Sequence, residues 1–255
     1  MILFLVILIF VLISSGLAWY LISYDRGEKE PIGALWIAFG FGLIGGVVSA
    51  IIEHQLISPD DISALSPLKT ILIASLIIGI IEEACKFIPM SIFIYPKKYF
   101  NEHTDGIIYF ALVGLGFGLP ENILYTLHFG TKTGISRMFL TPFFHAAITG
   151  MVGYYLINIK LAKLSWLRII PVLIFAMLLH GLYDFGLASN RQSYAIVSII
   201  ITLGISLLLF FLYIRATDLD QRLGKSVVGK NNYCRNCGQP NPKHHLYCVH
   251  CGQRA

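Results

Sequence analysis

Glu82 and Glu83 stand side by side inside an apolar stretch running from Leu68 to Tyr95, where an ionised side chain costs at least ~2.5 kcal/mol at the bilayer centre. On a helix Glu82 and Lys86 share a face, with Glu83 roughly 100° round from Glu82, so Lys86 can hold one carboxylate ionised while the other faces inward. Glu121 and Asn122 lie in a second apolar stretch, His145 in a third, and His180 with Asp184 one helical turn later in a fourth. Carboxylates and imidazoles at such depth serve as acid–base groups or as metal ligands, and both uses lead to the chemistry of water. Hydrolysis inside a membrane needs a pocket for water, a base to activate it and a donor for the oxyanion. A Glu–Lys pair that only ties helices together leaves the second glutamate and both histidines without a role.

These groups meet only if four helices bundle with their polar faces inward. Of the 255 residues 56% are hydrophobic and 13% charged, and the mean hydropathy is +0.73, which excludes an ordinary soluble domain. Apolar runs long enough to cross ~30 Å of hydrocarbon are expected at Ile2 to Ser23, Gly33 to Ile57, Leu68 to Tyr95, Gly106 to His128, Phe139 to Ile159, Leu167 to Ala188 and Tyr194 to Ile214. The expected fold is an all-α polytopic membrane protein of about seven transmembrane helices, with the lipid bilayer as its solvent. Gly114, Gly116 and Gly118 read as helix-contact positions, since no phosphate-binding Lys or Ser/Thr accompanies them.

The net charge of +5 sits mainly between the apolar runs and in the tail, so it reports orientation, and nucleic acid is not an expected partner. Arg26, Lys29, Lys97, Lys98, Lys160, Lys163, Arg168, Arg215, Arg222 and Lys225 fall on one side, with only Lys69, Lys132, Arg137 and Arg191 on the other. The bias places the N-terminus outside and the C-terminal tail in the cytosol. Counting ~1.5 Å per residue from the outer ends puts Glu121, His145 and His180 ~9 to 15 Å deep and Glu82 ~20 Å deep. The groups are therefore expected to meet in the outer half of the bilayer.

The tail reads separately. Residues 1–215 form the membrane domain, 216–232 a linker, and 233–255 a zinc ribbon in which Cys234, Cys237, Cys248 and Cys251 make two Cys-x-x-Cys-Gly knuckles. So short a segment has too little core to fold alone, and four thiolates around one structural Zn²⁺ supply the missing stability. Disulfides are disfavoured on a reducing side of the membrane.

In chain order, Glu82-Glu83-x-x-Lys86, Asp105-Gly106 with Glu121-Asn122-x-x-Tyr125, Phe144-His145 and His180-x-x-x-Asp184 resemble the PrsW family of intramembrane proteases and, more remotely, the CAAX prenyl protease and bacteriocin-processing family. In the remoter relatives an Arg stands one residue after the position of Lys86, and Asn stands at that of Asp184. The resemblance implies a multi-pass peptidase that cuts membrane-associated protein substrates, often an anti-sigma factor, at its outward-facing side. Two mechanisms remain open. In one, Glu82 or Glu83 is the general base, His145 helps to hold the water, and His180 supported by Asp184 stabilises the oxyanion or protonates the leaving amine, with Lys86, Glu121 and Asn122 in support. In the other, a carboxylate with His145 and His180 holds a catalytic metal and leaves one position for water. A proton-coupled transporter would use the same buried groups, and a non-enzymatic adaptor would use the ribbon to recruit a cytosolic partner.

Overall fold

The computed structural model describes residues 2–25, 29–56, 67–188, 192–223, 232–233, 240–241 and 251. Among them are seven α-helices: α1 (Ile2–Ser23), α2 (Ile32–Leu56), α3 (Pro67–Phe93), α4 (His103–Phe129), α5 (Thr131–Leu161), α6 (Ile170–Ala188) and α7 (Gln192–Arg222). Six of them are long and apolar enough to cross a membrane, α6 together with the 3₁₀ turn Trp166–Ile169 that leads into it. The remaining one, α3, has 27 residues, about 40 Å at 1.5 Å per residue, but its apolar run is interrupted by Glu82, Glu83 and Lys86. The chain is an all-α polytopic membrane protein.

The helices α4 and α5 form the centre. Their apolar windows are 78% and 83% buried, against 22% to 39% for the other four spans, α1, α2, α6 and α7. Apolar side chains such as Trp36, Leu203 and Phe211 on the outer helices remain exposed, as lipid-facing positions do. Close helix approach depends on residues without side chains. A Cβ on Gly79 would lie 2.7 Å from the backbone nitrogen of Gly181, which brings α3 and α6 together one turn below Glu83 and at His180. On the other side of the site, a Cβ on Gly114 would lie 3.0 Å from the backbone nitrogen of Ala146, pressing α4 against α5 at His145.

Two boundaries differ from expectation. The fifth helix starts at Thr131, not Phe139, and Gly130 alone separates it from α4. At φ 86° Gly130 occupies a backbone region that L side chains rarely adopt, so the chain reverses within one residue and 131–136, expected as an outer connection, is helix. The last helix continues past Arg215 to Arg222, so 216–222 is helix instead of linker. The reason is Asp220. Its carboxylate accepts the backbone N–H groups of His103 at 2.8 Å and Thr104 at 2.9 Å, the Thr104 hydroxyl at 3.0 Å and the His103 ring Nδ1–H at 2.7 Å. It caps the start of α4, where backbone donors have no partner within the helix. Asp105 adds to this by accepting the N–H groups of Asn101 and Glu102, each at 2.6 Å.

Beyond α7 two short strands, β1 (Asn232–Tyr233) and β2 (Pro240–Asn241), pair antiparallel, Tyr233 opposite Pro240. Of the expected zinc ligands only Cys251 is among the described residues, where it is exposed; Cys234, Cys237 and Cys248 lie outside them.

Candidate active site

Each helix of the central bundle brings a different part of the site. From α3 come Glu82, Glu83 and Lys86; from α4, Glu121 and Asn122; from α5, Arg137 and His145; from α6, His180 and Asp184. All nine are buried. Their spacing on each helix puts them on the inward face, and desolvation makes every unpaired charge among them costly.

The network starts at Glu83. Its Oε1 accepts from Lys86 Nζ at 2.8 Å and from His180 Nδ1 at 2.8 Å. A carboxylate only accepts, so the His180 proton belongs on Nδ1 and the lone pair on Nε2. That Nε2 lies 3.2 Å from Glu82 Oε2 and 3.5 Å from Asp184 Oδ2, in neither case aligned for a hydrogen bond. Lys86 also donates to His145 Nδ1 at 3.0 Å and stands 3.5 Å from Glu82 Oε2. His145 in turn donates from Nε2 to Glu121 Oε2 at 2.6 Å, and the other Glu121 oxygen pairs with Arg137. One unbroken chain of charge-assisted contacts thus crosses four helices.

Aromatic rings wall it. Phe144 stacks on Tyr183 with centroids 3.8 Å apart and meets the His180 ring edge-on at 5.0 Å. The ammonium of Lys86 lies 4.0 Å from the Phe117 ring centroid, and the Arg137 guanidinium lies 3.9 Å from that of Tyr125. Such faces stabilise a buried cation without adding another acid.

The candidates from the sequence therefore converge, with differences in detail. Lys86 makes its shorter ion pair with Glu83, three residues back, and not with Glu82, four residues back. His145 engages Lys86 and Glu121 at its two nitrogens. Asn122 is buried, and neither amide atom has a hydrogen-bond partner. Arg137, expected in an outer connection, is buried on Glu121; its spacing of four and eight residues from Thr141 and His145 marks the shared helix face. Glu53 of α2 joins the electrostatic surroundings of Glu121, Asp184 and Glu82. It lies seven residues from Gly46, two turns along one face, a spacing that marks it from sequence.

Glu82, His145 and His180 each offer a ligand atom, and these lie within 4.8 Å of one another. The donor set fits a metal ion. Two imidazoles are each held by a carboxylate at the far nitrogen, Glu83 for His180 and Glu121 for His145, the arrangement that orients metal-binding histidines. Glu82 Oε2 and His180 Nε2 have no hydrogen-bond partner of their own. Lys86 must swing from His145 toward Glu83 for the third ligand to be freed.

Residues 30–214 match the model of the PrsW family of intramembrane metalloproteases. Among curated proteins, the chain is 33% identical over 190 residues to Protease PrsW of Bacillus subtilis, covering 71% of this chain and 84% of that one. It is 33% identical over 190 residues to Protease PrsW of Geobacillus kaustophilus, covering 72% and 82% respectively. For Protease PrsW of Clostridioides difficile the identity is 29% over 206 residues, with coverage of 78% and 84%. No solved structure matches. A match of this extent, running through all four helices that carry the buried network, makes the chain a member of the PrsW family and a protease of the membrane.

Proposed function

We propose that the chain is an endopeptidase that cuts membrane-anchored proteins near the outer surface of the bilayer, with Glu82 activating the hydrolytic water. One observation carries this reading: Glu82 Oε2 and His180 Nε2, two acceptors without hydrogen-bond partners, face each other at 3.2 Å inside the bundle. Together they hold a water by its two hydrogens and leave an oxygen lone pair for the scissile carbonyl. Glu82 takes the proton as the C–O bond forms, and returns it to the amide nitrogen as the C–N bond breaks. The oxyanion is met by the Asn122 amide, a buried donor without a partner of its own. Glu83 is the positioning glutamate, since both Lys86 and His180 are bound to one of its oxygens. His145 serves by holding Lys86 between itself and Glu83.

A metal-dependent form of the same protease is the second reading, favoured by the 4.8 Å grouping of Glu82, His145 and His180. A metal bound there would supply Lewis-acid activation of water. Glu83 and Glu121 would then hold the two imidazoles in orientation, and Lys86 would pair with Glu83 alone.

The substrate class is a membrane-anchored protein, including an anti-sigma factor of the kind the family resemblance implies. In this reading the tail from 233 on is a cytosolic zinc ribbon that recruits a protein partner, with 1–222 as the membrane domain. The test is membrane-protein fragments compared between cells with the intact chain and with Glu82→Gln, together with zinc content of the full-length protein. Fragments that persist unchanged with Glu82→Gln would end the glutamate mechanism. One zinc per chain supports the water reading; two, with one lost on His180→Ala, supports the metal.

A further inference from the structure

Glu53, three residues before the end of α2, is a carboxylate that the reaction above does not use. The inference drawn from it rests on the protease reading. The face of α2 that carries it is set by glycine: a Cβ on Gly46 would lie 2.7 Å from Pro120 Cγ and 2.8 Å from the Phe117 carbonyl oxygen. Glu53 stands seven residues, two turns, further along that face of α2, past the level of Pro120. It acts electrostatically on Glu121, Asp184 and Glu82, and its Oε1 is buried without a hydrogen-bond partner.

A second observation comes from α6. Asp184 is 4% exposed, faces His180 Nε2 at 3.5 Å, and has no hydrogen-bond partner at either oxygen. The fixed cations nearby are committed elsewhere, Lys86 to Glu83 and Glu82, Arg137 to Glu121. A metal on Glu82, His145 and His180 would leave Glu53 equally unmet. Both carboxylates sit near the ends of their helices, Glu53 in α2 and Asp184 in α6, on the side of the α4–α5 reversal at Gly130. Like-charged groups left open at a binding site are completed by a cation that arrives with the ligand.

We infer that Glu53, with Asp184, forms a substrate subsite for a lysine or arginine side chain on the outward side of the scissile bond. A long basic side chain suits the position, because its methylene stem lies along the apolar helix faces while its charged end reaches the carboxylates. Glu53 is thereby a specificity-determining residue, and proton transfer stays with Glu82.

The test uses the full chain in lipid nanodiscs and a single-span photo-crosslinking peptide, a Leu/Ala helix with Lys, Gln or Glu just outside its outer end. The unmodified chain should capture the Lys peptide about tenfold more tightly than the Glu peptide. Glu53→Asp should keep this preference, Glu53→Gln should level it to within about twofold, and Glu53→Lys should invert it. Equal capture of Lys and Glu peptides by the unmodified chain, no capture of the Lys peptide, or a preference that survives Glu53→Gln overturns the subsite. Capture is read without cleavage. Failure of the protease reading shows separately, as membrane-protein fragments that do not depend on Glu82.

Discussion

Adjacent glutamates on α3 are placed in unequal surroundings, because a helix turns about 100° between them. Glu83 accepts from two donors while Glu82 Oε2 accepts from none. Glu82→Gln is therefore expected to lower the cleavage rate ~10²-fold or more with substrate affinity little changed, measured as kcat against KM. Glu83→Gln should instead reduce thermal stability on the order of 1–3 kcal/mol, as buried Lys86 and His180 lose a charged acceptor. A Glu83→Gln variant with normal stability and the larger rate loss would reverse the two roles. Arg137 acts at one remove, through Glu121 on His145. Arg137→Ala should cost about 10- to 100-fold in rate, as lost outer support for a site residue does. Arg137→Lys should restore part of that rate, since it keeps the charge but not the fork; a lysine variant no better than alanine would leave only a packing role.

At the scale of the element, the ends of α4 are set by contacts from distant parts of the chain. Asp220 of α7 accepts two backbone donors and a hydroxyl at the start of α4, so Asp220→Ala should lower stability by about 1 kcal/mol, the usual worth of a cap. Thermal unfolding in detergent reads this, and an unchanged midpoint would mean that water replaces the cap. Glu30, just before α2, accepts from the Tyr109 hydroxyl of α4. Burial raises its carboxyl above the ordinary 4.5, and the Tyr109 hydrogen bond only partly offsets this. The folded chain thus binds a proton here that the unfolded chain releases, and stability falls as pH rises from about 4.5 through the raised value. Glu30→Gln keeps an acceptor for Tyr109 and removes that cost. It should raise the unfolding temperature at neutral pH, with the gain disappearing below pH 4.5; a gain that is independent of pH would assign the effect to something other than the charge.

For the molecule as a whole, orientation is open to a direct test. Lys132 is exposed in the first turn of α5, next to the Gly130 reversal. Lys132→Cys in intact cells should react with a membrane-impermeant maleimide, while a reporter fused after Ala255 stays cytosolic; labelling of the opposite sense would turn the site inward. The all-α polytopic fold was legible from hydropathy, since ~20 apolar residues per crossing is a one-dimensional requirement of the bilayer; of the seven runs expected, α3 alone is not among the six helices apolar enough to cross. Glu82, Glu83, His145, His180 and Asp184 were legible for a related reason. A buried charge is costly wherever it falls, so its presence in an apolar run is itself the signal. The spacing of Glu82, Glu83 and Lys86 did not decide which glutamate takes the lysine. That depended on His180, which comes from α6 nearly a hundred residues later and approaches through the Gly79–Gly181 contact. Arg137 was misread as a loop cation because a basic residue before an apolar run looks the same whether it meets water or Glu121. The extent of α5 and α7 was hidden likewise: polar residues extend a helix when a partner elsewhere satisfies them, as Glu121 does for Arg137 and the start of α4 does for Asp220. What one-dimensional cost dictates, the sequence carried alone; which partner meets each charge was decided by helix packing, because the pairing energy exists only between side chains that the fold brings together.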